Sequence, residues 1–315
     1  MKVTTAIFVL CCLLVNTVQA QSRSRLDAEL CLTGTGNELL DIEICGRAIR
    51  VSAAAGLHGA SLATLYSTRG RAYTARSEFQ SAISDLDVAL RLNPASAIAY
   101  NYRGAAHHAQ GRYRLALEDY ERAIELFPHY AEAFRNRGTS HYFRGDAEHA
   151  AADYSRAIAL NSADPEPVAL RGLARYERGL FAKAAQDFAR LESMRFPYKY
   201  LAMWLYLAWE QAHGDARALL SEAESQLATS EWPRPLIAVY LGNGTPQAAL
   251  AAARAAPTAT RAARLSEAHF YLGELALLQG DRQRAAVLFR DTVAAGITQS
   301  IEHHMAGSAL QRMAR

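Results

Sequence analysis

Between Asn101 and Gly138 the chain reads NYRGAAHHAQGRYRLALEDYERAIELFPHYAEAFRNRG. Apolar positions recur every three to four residues on either side of Gly111, a pattern that predicts two amphipathic helices joined by a short turn. The Arg-Gly that opens the stretch returns at its end. Gly70, Gly104, Gly138 and Gly172 stand 34 residues apart, and Arg69, Arg103, Arg137 and Arg171 precede them. Ala82, Ala116, Ala150 and Ala184 keep the interval, as do the large residues Leu86, Tyr120, Tyr154 and Phe188 and the acids Asp85, Asp119, Asp153 and Asp187. Ala89, Ala123 and Ala157 follow it too, until Leu191 breaks the series.

The pattern predicts four helix pairs, at 63–96, 97–130, 131–164 and 165–198, with turns at Gly111, Gly145 and Gly179. Small residues at the Gly and Ala columns let the two helices of a pair approach closely, and the large residue fills the space beside them. One pair cannot bury its own apolar face, so successive pairs stack. This period and content resemble the tetratricopeptide repeat, which implies an all-α solenoid wound as a right-handed superhelix. The recurring Arg lies on each first helix and the recurring Asp on each second. Charge at one place in every unit is expected to form a structural ladder of ion pairs, within a unit or between units as in Asp85 with Arg103. Ordinary solvated charge is the plainer alternative.

Two imperfect units flank the array. In 21–62, Cys45-Gly46-Arg47-Ala48-Ile49 is similar to Glu121-Arg122-Ala123-Ile124. In 266–315, Phe270-Tyr271-Leu272-Gly273 begins another unit with a turn at Gly280, Ala285 for packing and Phe289 as filler, followed by a tail helix. The segment 199–265 is helical but irregular. It holds the apolar run Met203-Trp204-Leu205-Tyr206-Leu207-Ala208-Trp209 and a stiff break at Trp232-Pro233-Arg234-Pro235.

The N-terminus reads as an export signal over 1–20: Met1-Lys2, an apolar stretch from Ala6 to Val15, and small residues in Val18-Gln19-Ala20 before a cut that leaves Gln21 first. Cys11 and Cys12 raise lipid modification as an alternative, which Val9-Leu10 before them does not favour. Export places Cys31 and Cys45 in an oxidising compartment, where a close pair without a Cys-x-x-Cys spacing forms a structural disulfide. No later apolar run reaches the ~20 residues of a membrane helix. Net charge is +3 with both signs mixed along the 315 residues, which argues against a nucleic-acid surface.

Catalytic and metal-binding signatures do not emerge. Adjacent histidines, as in His107-His108 or His303-His304, point about 100° apart on a helix and make a poor joint metal site. No nucleophile elbow, His-Glu-x-x-His or phosphate loop is present. The chain is therefore read as non-enzymatic, without cofactor or metal. A binding groove is left, lined by first helices, with Arg71, Asn101, His108, Arg135, Thr139, Tyr142 and Tyr176 facing it. Arg, Asn and Tyr suit an extended peptide. The groove could instead be solvated or filled by the chain's own terminal helices.

The C-terminal third carries a narrower resemblance. Tyr240-Leu241-Gly242-Asn243, then Leu265-Ser266-Glu267-Ala268-His269-Phe270-Tyr271-Leu272-Gly273, Leu277-Leu278-Gln279-Gly280-Asp281, Leu288-Phe289 and Ile301-Glu302-His303 are similar to the tail of NlpI-type periplasmic proteins. That resemblance implies a non-enzymatic, homodimeric envelope adaptor that docks murein hydrolases and a tail-specific protease. The namesake is a lipoprotein, whereas this signal points to a soluble periplasmic protein. A small-ligand carrier built around Trp204 and Trp209, and an assembly scaffold of an envelope complex, are the other readings.

Overall fold

The computed structural model describes residues 25–53, 56–197, 200–227, 231–298 and 300–314. The expected export signal over 1–20, with Cys11 and Cys12, lies outside them. Among the described residues the secondary structure is seventeen α-helices and no strand, an all-α solenoid. Among the described residues no helix is long and apolar enough to cross a membrane. The chain divides into two compact units, with the boundary between Arg144 and Gly145, inside the predicted pair 131–164.

The first unit holds α1 (25–33), α2 (Glu38–Arg50), α3 (Gly59–Ala75), α4 (Phe79–Leu92), α5 (Ala97–Ala109), α6 (Tyr113–Leu126) and α7 (Ala131–Phe143). Cys31 on α1 and Cys45 on α2 form a disulfide. Both sulfurs are buried in a small core with Ala28, Ile44, Ala48 and Leu65. The disulfide therefore ties together two helices that bury little apolar surface of their own. Arg47 adds a forked pair to Asp27, with Nε at 3.0 Å and Nη2 at 2.8 Å.

In the repeats the second helix is pressed onto the first at the glycine. A Cβ built on Gly70 would stand 2.7 Å from Leu86, and one on Gly104 would stand 2.7 Å from the ring of Tyr120. Alanines one turn before the large residue, Ala82 and Ala116, are completely buried. Gly111 turns the chain between helices at φ +72°, and Ser77 takes the same place in the pair before it at φ +62°. That left-handed conformation costs a non-glycine residue about 1 kcal/mol.

The second unit holds α8 (Ala147–Leu160), α9 (Glu166–Glu177), α10 (Phe181–Ser193), α11 (Leu201–His213), α12 (Arg217–Gln226), α13 (Arg234–Leu241), α14 (Pro246–Arg254), α15 (Thr258–Leu278), α16 (Arg282–Ala294) and α17 (Ile301–Met313). The glycine contact recurs twice: Gly172 against Phe188 at 2.6 Å, and Gly273 against Phe289 at 2.7 Å. The four helices α11 to α14 between these pairs are joined by larger contacts. Trp204 lies fully buried among Tyr176, Phe188, Phe270 and Tyr271, with ring centroids 5.3–6.1 Å away. This aromatic cluster joins α9, α10, α11 and α15 into one core.

Three of these glycine contacts, at Gly70, Gly104 and Gly172, carry an ion pair beside them. Arg69 forks onto Asp85 at 2.6 and 2.8 Å, Arg103 onto Asp119 at 3.0 and 2.7 Å, and Arg171 onto Asp187 at 3.1 and 2.7 Å. These pairs run within a repeat. Asp85 meets Arg69 rather than Arg103, because the Arg and the Gly share a helical turn and therefore face the same second helix. The link between repeats comes from the remaining nitrogen of Arg103, which donates to Asp87 on α4 at 2.6 Å. Burial works against the charge of Arg103, yet its bonds to Asp119 and Asp87 hold the guanidinium above the ordinary arginine value. Arg137 belongs to the first unit and Asp153 to the second.

Replacing Gly104 by Ala forces a methyl into the Tyr120 ring, and overpacking of this kind costs ~1–3 kcal/mol, more than the ~1 kcal/mol gained in helix propensity. Chemical denaturation should show the first unit losing stability in Gly104→Ala.

Candidate protein-binding surface

In the first unit the first helices of successive repeats lie side by side, α3 against α5 and α5 against α7. Their shared face is built on Asn101. Its side chain is completely buried. The Asn101 amide donates to Tyr130 Oη and Glu132 Oε1, both at 3.2 Å, and its carbonyl accepts from Asn136 Nδ2 at 3.0 Å. One amide thus meets three groups and fixes the start of α7 against α5. Burial, with the Glu132 carboxylate beside them, raises the phenols of Tyr102 and Tyr130 above the usual tyrosine value. Arg71 stands at the edge of this face, 3.7 Å from the buried Asp41 carboxylate and with its own side chain 43% exposed.

The seven groove residues expected from the sequence divide. Arg71, Arg135 and Thr139 are half-buried on the first-helix faces. The Thr139 hydroxyl donates back to the Arg135 carbonyl. Asn101 and Tyr142 are interior. Tyr142 packs edge-on against Phe143. His108 contributes to packing, with Nδ1 2.9 Å from Ser140 Oγ and its ring between Tyr113 and Phe143. Burial pushes the His108 imidazole down to about 4, so it is neutral near pH 7. These columns face the helix next door before they face a groove, which is why their side chains are covered. Tyr102, Tyr130, Glu132 and Asn136 complete the face and were not expected. Their signal was the Asn101-Asn136 and Tyr102-Asn136 spacing, close to one repeat apart.

In the second unit the corresponding positions are covered by the chain itself. Tyr176 is buried, and its hydroxyl donates to Glu274 Oε2 on α15 at 2.7 Å. Glu177, the next residue, receives the Ser308 hydroxyl from α17, with His304 Nε2 at 3.5 Å and Arg312 Nη1 at 3.9 Å. Burial alone would raise the Glu177 carboxyl, but bonds from His304 and Ser308 hold it below the usual carboxylate range. Glu274 has less help. Burial pushes it up to about 7, against the Tyr176 hydrogen bond and the more distant Arg312. Trp204, proposed from sequence as a pocket wall, is enclosed by rings, while Trp209 is 40% exposed beside His213. Among the described residues, no group of His, Cys, Asp and Glu could hold a metal ion.

The comparisons agree with this geometry. Tetratricopeptide-repeat family models match residues 70–111, 97–130 and 135–194. Solved structures with the same fold include the C-terminal part of a repeat protein from Cytophaga hutchinsonii, 16% identical, covering 91% of this chain and 99% of that one at a TM-score of 0.53. A tetratricopeptide repeat protein from Parabacteroides merdae, 15% identical, covers 92% and 99% at 0.53. Pseudomonas aeruginosa PilF, 16% identical, covers 76% and 94% at 0.50. At such identities the likeness is one of fold. Residues 70–130 and 135–194 are tetratricopeptide repeats, units whose stacked helix pairs generally serve as protein-binding scaffolds.

Glu274 makes stability pH-dependent. Its folded value of about 7 lies above its unfolded one, so folding is favoured most below the unfolded value and loses stability as pH rises toward 7. The loss is on the order of 3 kcal/mol. Thermal unfolding of the wild type should therefore show a falling Tm from pH 5 to 8, and Glu274→Gln, which can still accept from Tyr176, should flatten it.

Proposed function

We propose that this chain is an adaptor that holds a partner protein segment along the α3, α5 and α7 face of its first unit. The observation that carries the proposal is the contrast between the two units. The positions Tyr176 and Glu177 in the second unit are covered by α15 and α17, whereas the first unit leaves Arg71, Tyr102, Tyr130, Glu132 and Arg135 at least partly open. Tyrosine faces provide contact area at low entropy cost, arginines provide forked donors for carboxylates, and Glu132 offers an acceptor for a lysine or a main-chain amide.

The partner class comes from the export signal and the NlpI-type tail. The signal supports a periplasmic location, and the resemblance supports an adaptor for murein hydrolases and a processing protease, acting without a cofactor and as a homodimer. Trp204 is fully buried among Tyr176, Phe188, Phe270 and Tyr271, a packed environment that does not favour the small-ligand reading. Affinity capture from envelope extracts of the producing bacterium tests the proposal, comparing wild type with the Arg71→Glu, Arg135→Glu double variant. Recovery of a murein hydrolase or protease by wild type, and its loss from the variant, is expected. Equal recovery by both, or no such enzyme with either, would refute it.

A further inference from the structure

The helix α17 repeats the first-helix pattern, with its contact left open. Gly307 lies 34 residues after Gly273, in the same glycine column as Gly70, Gly104 and Gly172. At those four positions a Cβ would stand 2.6–2.7 Å from the large residue of the second helix, whereas at Gly307 it would meet nothing within 4 Å. Gly307 is half-buried on the outer side of α17. The opposite side is well seated, with Met305, Ala306 and Ala309 buried and Ser308 bonded to Glu177. The helix is therefore held as a first helix while the face that would receive a second helix stays open.

From one turn beyond Gly307, at Leu310, α16 and α17 form a groove of about 540 Å³, lined by Arg282, Gln283, Val287, Arg290, Leu310 and Met313. Its floor is apolar, and Val287 is 50% exposed. Arg282 and Arg290 stand two turns apart on the exposed face of α16. Among the described residues neither guanidinium has a hydrogen-bond or ion-pair partner, whereas the repeat arginines Arg69, Arg103 and Arg171 are all forked onto aspartates. Ala306 stands where those repeats place the arginine, so charge recognition at this groove falls to α16.

The geometry points to a second docking surface, in which a partner protein's amphipathic helix adds to α17 as the second helix of a repeat. The filled repeats specify its chemistry. A large apolar residue enters the notch at Gly307, with an alanine one turn before it, as in Ala116 and Tyr120 or Ala285 and Phe289. Acidic residues on the flank of that helix meet Arg282 and Arg290. This surface lies wholly within the second unit and is independent of the α3, α5 and α7 face.

The probe is a labelled peptide of residues 112–127, the chain's own α6, which carries Ala116, Tyr120 and the acids Glu118, Glu121 and Glu125. Fluorescence anisotropy would follow its binding to the full chain. Saturable binding is expected, weakened at least tenfold by Gly307→Leu, which fills the notch. An Arg282→Glu, Arg290→Glu variant should lose a similar factor and regain part of it with a peptide whose three glutamates are replaced by lysine. Gly307→Leu should fold as wild type by circular dichroism and urea midpoint, since a side chain there has open space and leucine favours helix over glycine. No saturable binding, or binding indifferent to Gly307→Leu, would overturn the proposal. So would wild-type self-association in sedimentation that Gly307→Leu abolishes, since a second copy would then cover the notch.

Discussion

The helix pairs at Gly70, Gly104, Gly172 and Gly273 close on the same contact: a first-helix glycine whose missing Cβ lets a leucine, tyrosine or phenylalanine of the second helix lie against the backbone. Any larger residue at the glycine would hold the two helices apart. In the Gly70, Gly104 and Gly172 pairs the Arg–Asp fork would then lose its reach, because its two residues are direct neighbours of the glycine and of the large residue. The contact and the fork thus define one distance and one rotation between the paired helices. Repeating them gives a stack in which each pair buries the apolar face of the next.

The first-helix faces are a consequence of that stacking. Asn101 is buried because α7 lies at a fixed distance from α5, close enough for Tyr130, Glu132 and Asn136 to reach one amide. In the second unit the same kind of face is closed by the aromatic cluster around Trp204 and by the Tyr176–Glu274 and Glu177–Ser308 bonds. One architecture therefore offers an open face in one unit and a covered one in the other. Which face is open follows from the helices that come after Ser193, and not from the repeats themselves.

Much of this was legible in the residues. Glycine, alanine, large and acidic columns at a fixed period define both helices of a pair, their turns at Gly111, Gly145 and Gly179, and the Arg and Asp that meet. The groove was less legible. A position that faces inward across a repeat can be surface or interior depending on its neighbour, and Tyr142 and Tyr176 are interior. Of the two pairings open to Asp85, the structure takes the one within the repeat, because helical phase decides which arginine it meets. The bonds from α15 and α17 to Tyr176 and Glu177 join residues up to 131 apart, a separation at which periodicity carries no information. Gly307 was readable from the glycine interval, but that it is open depends on what packs there.

The close glycine contact is tested most directly by a double-mutant cycle at Gly104 and Tyr120, read as urea stability of the first unit. The account predicts that Gly104→Ala destabilises the wild type yet is neutral or stabilising once Tyr120→Val has made room, a coupling of at least ~1 kcal/mol. Additive effects of the two substitutions would contradict it, and would mean that the pairing distance is set elsewhere in the repeat.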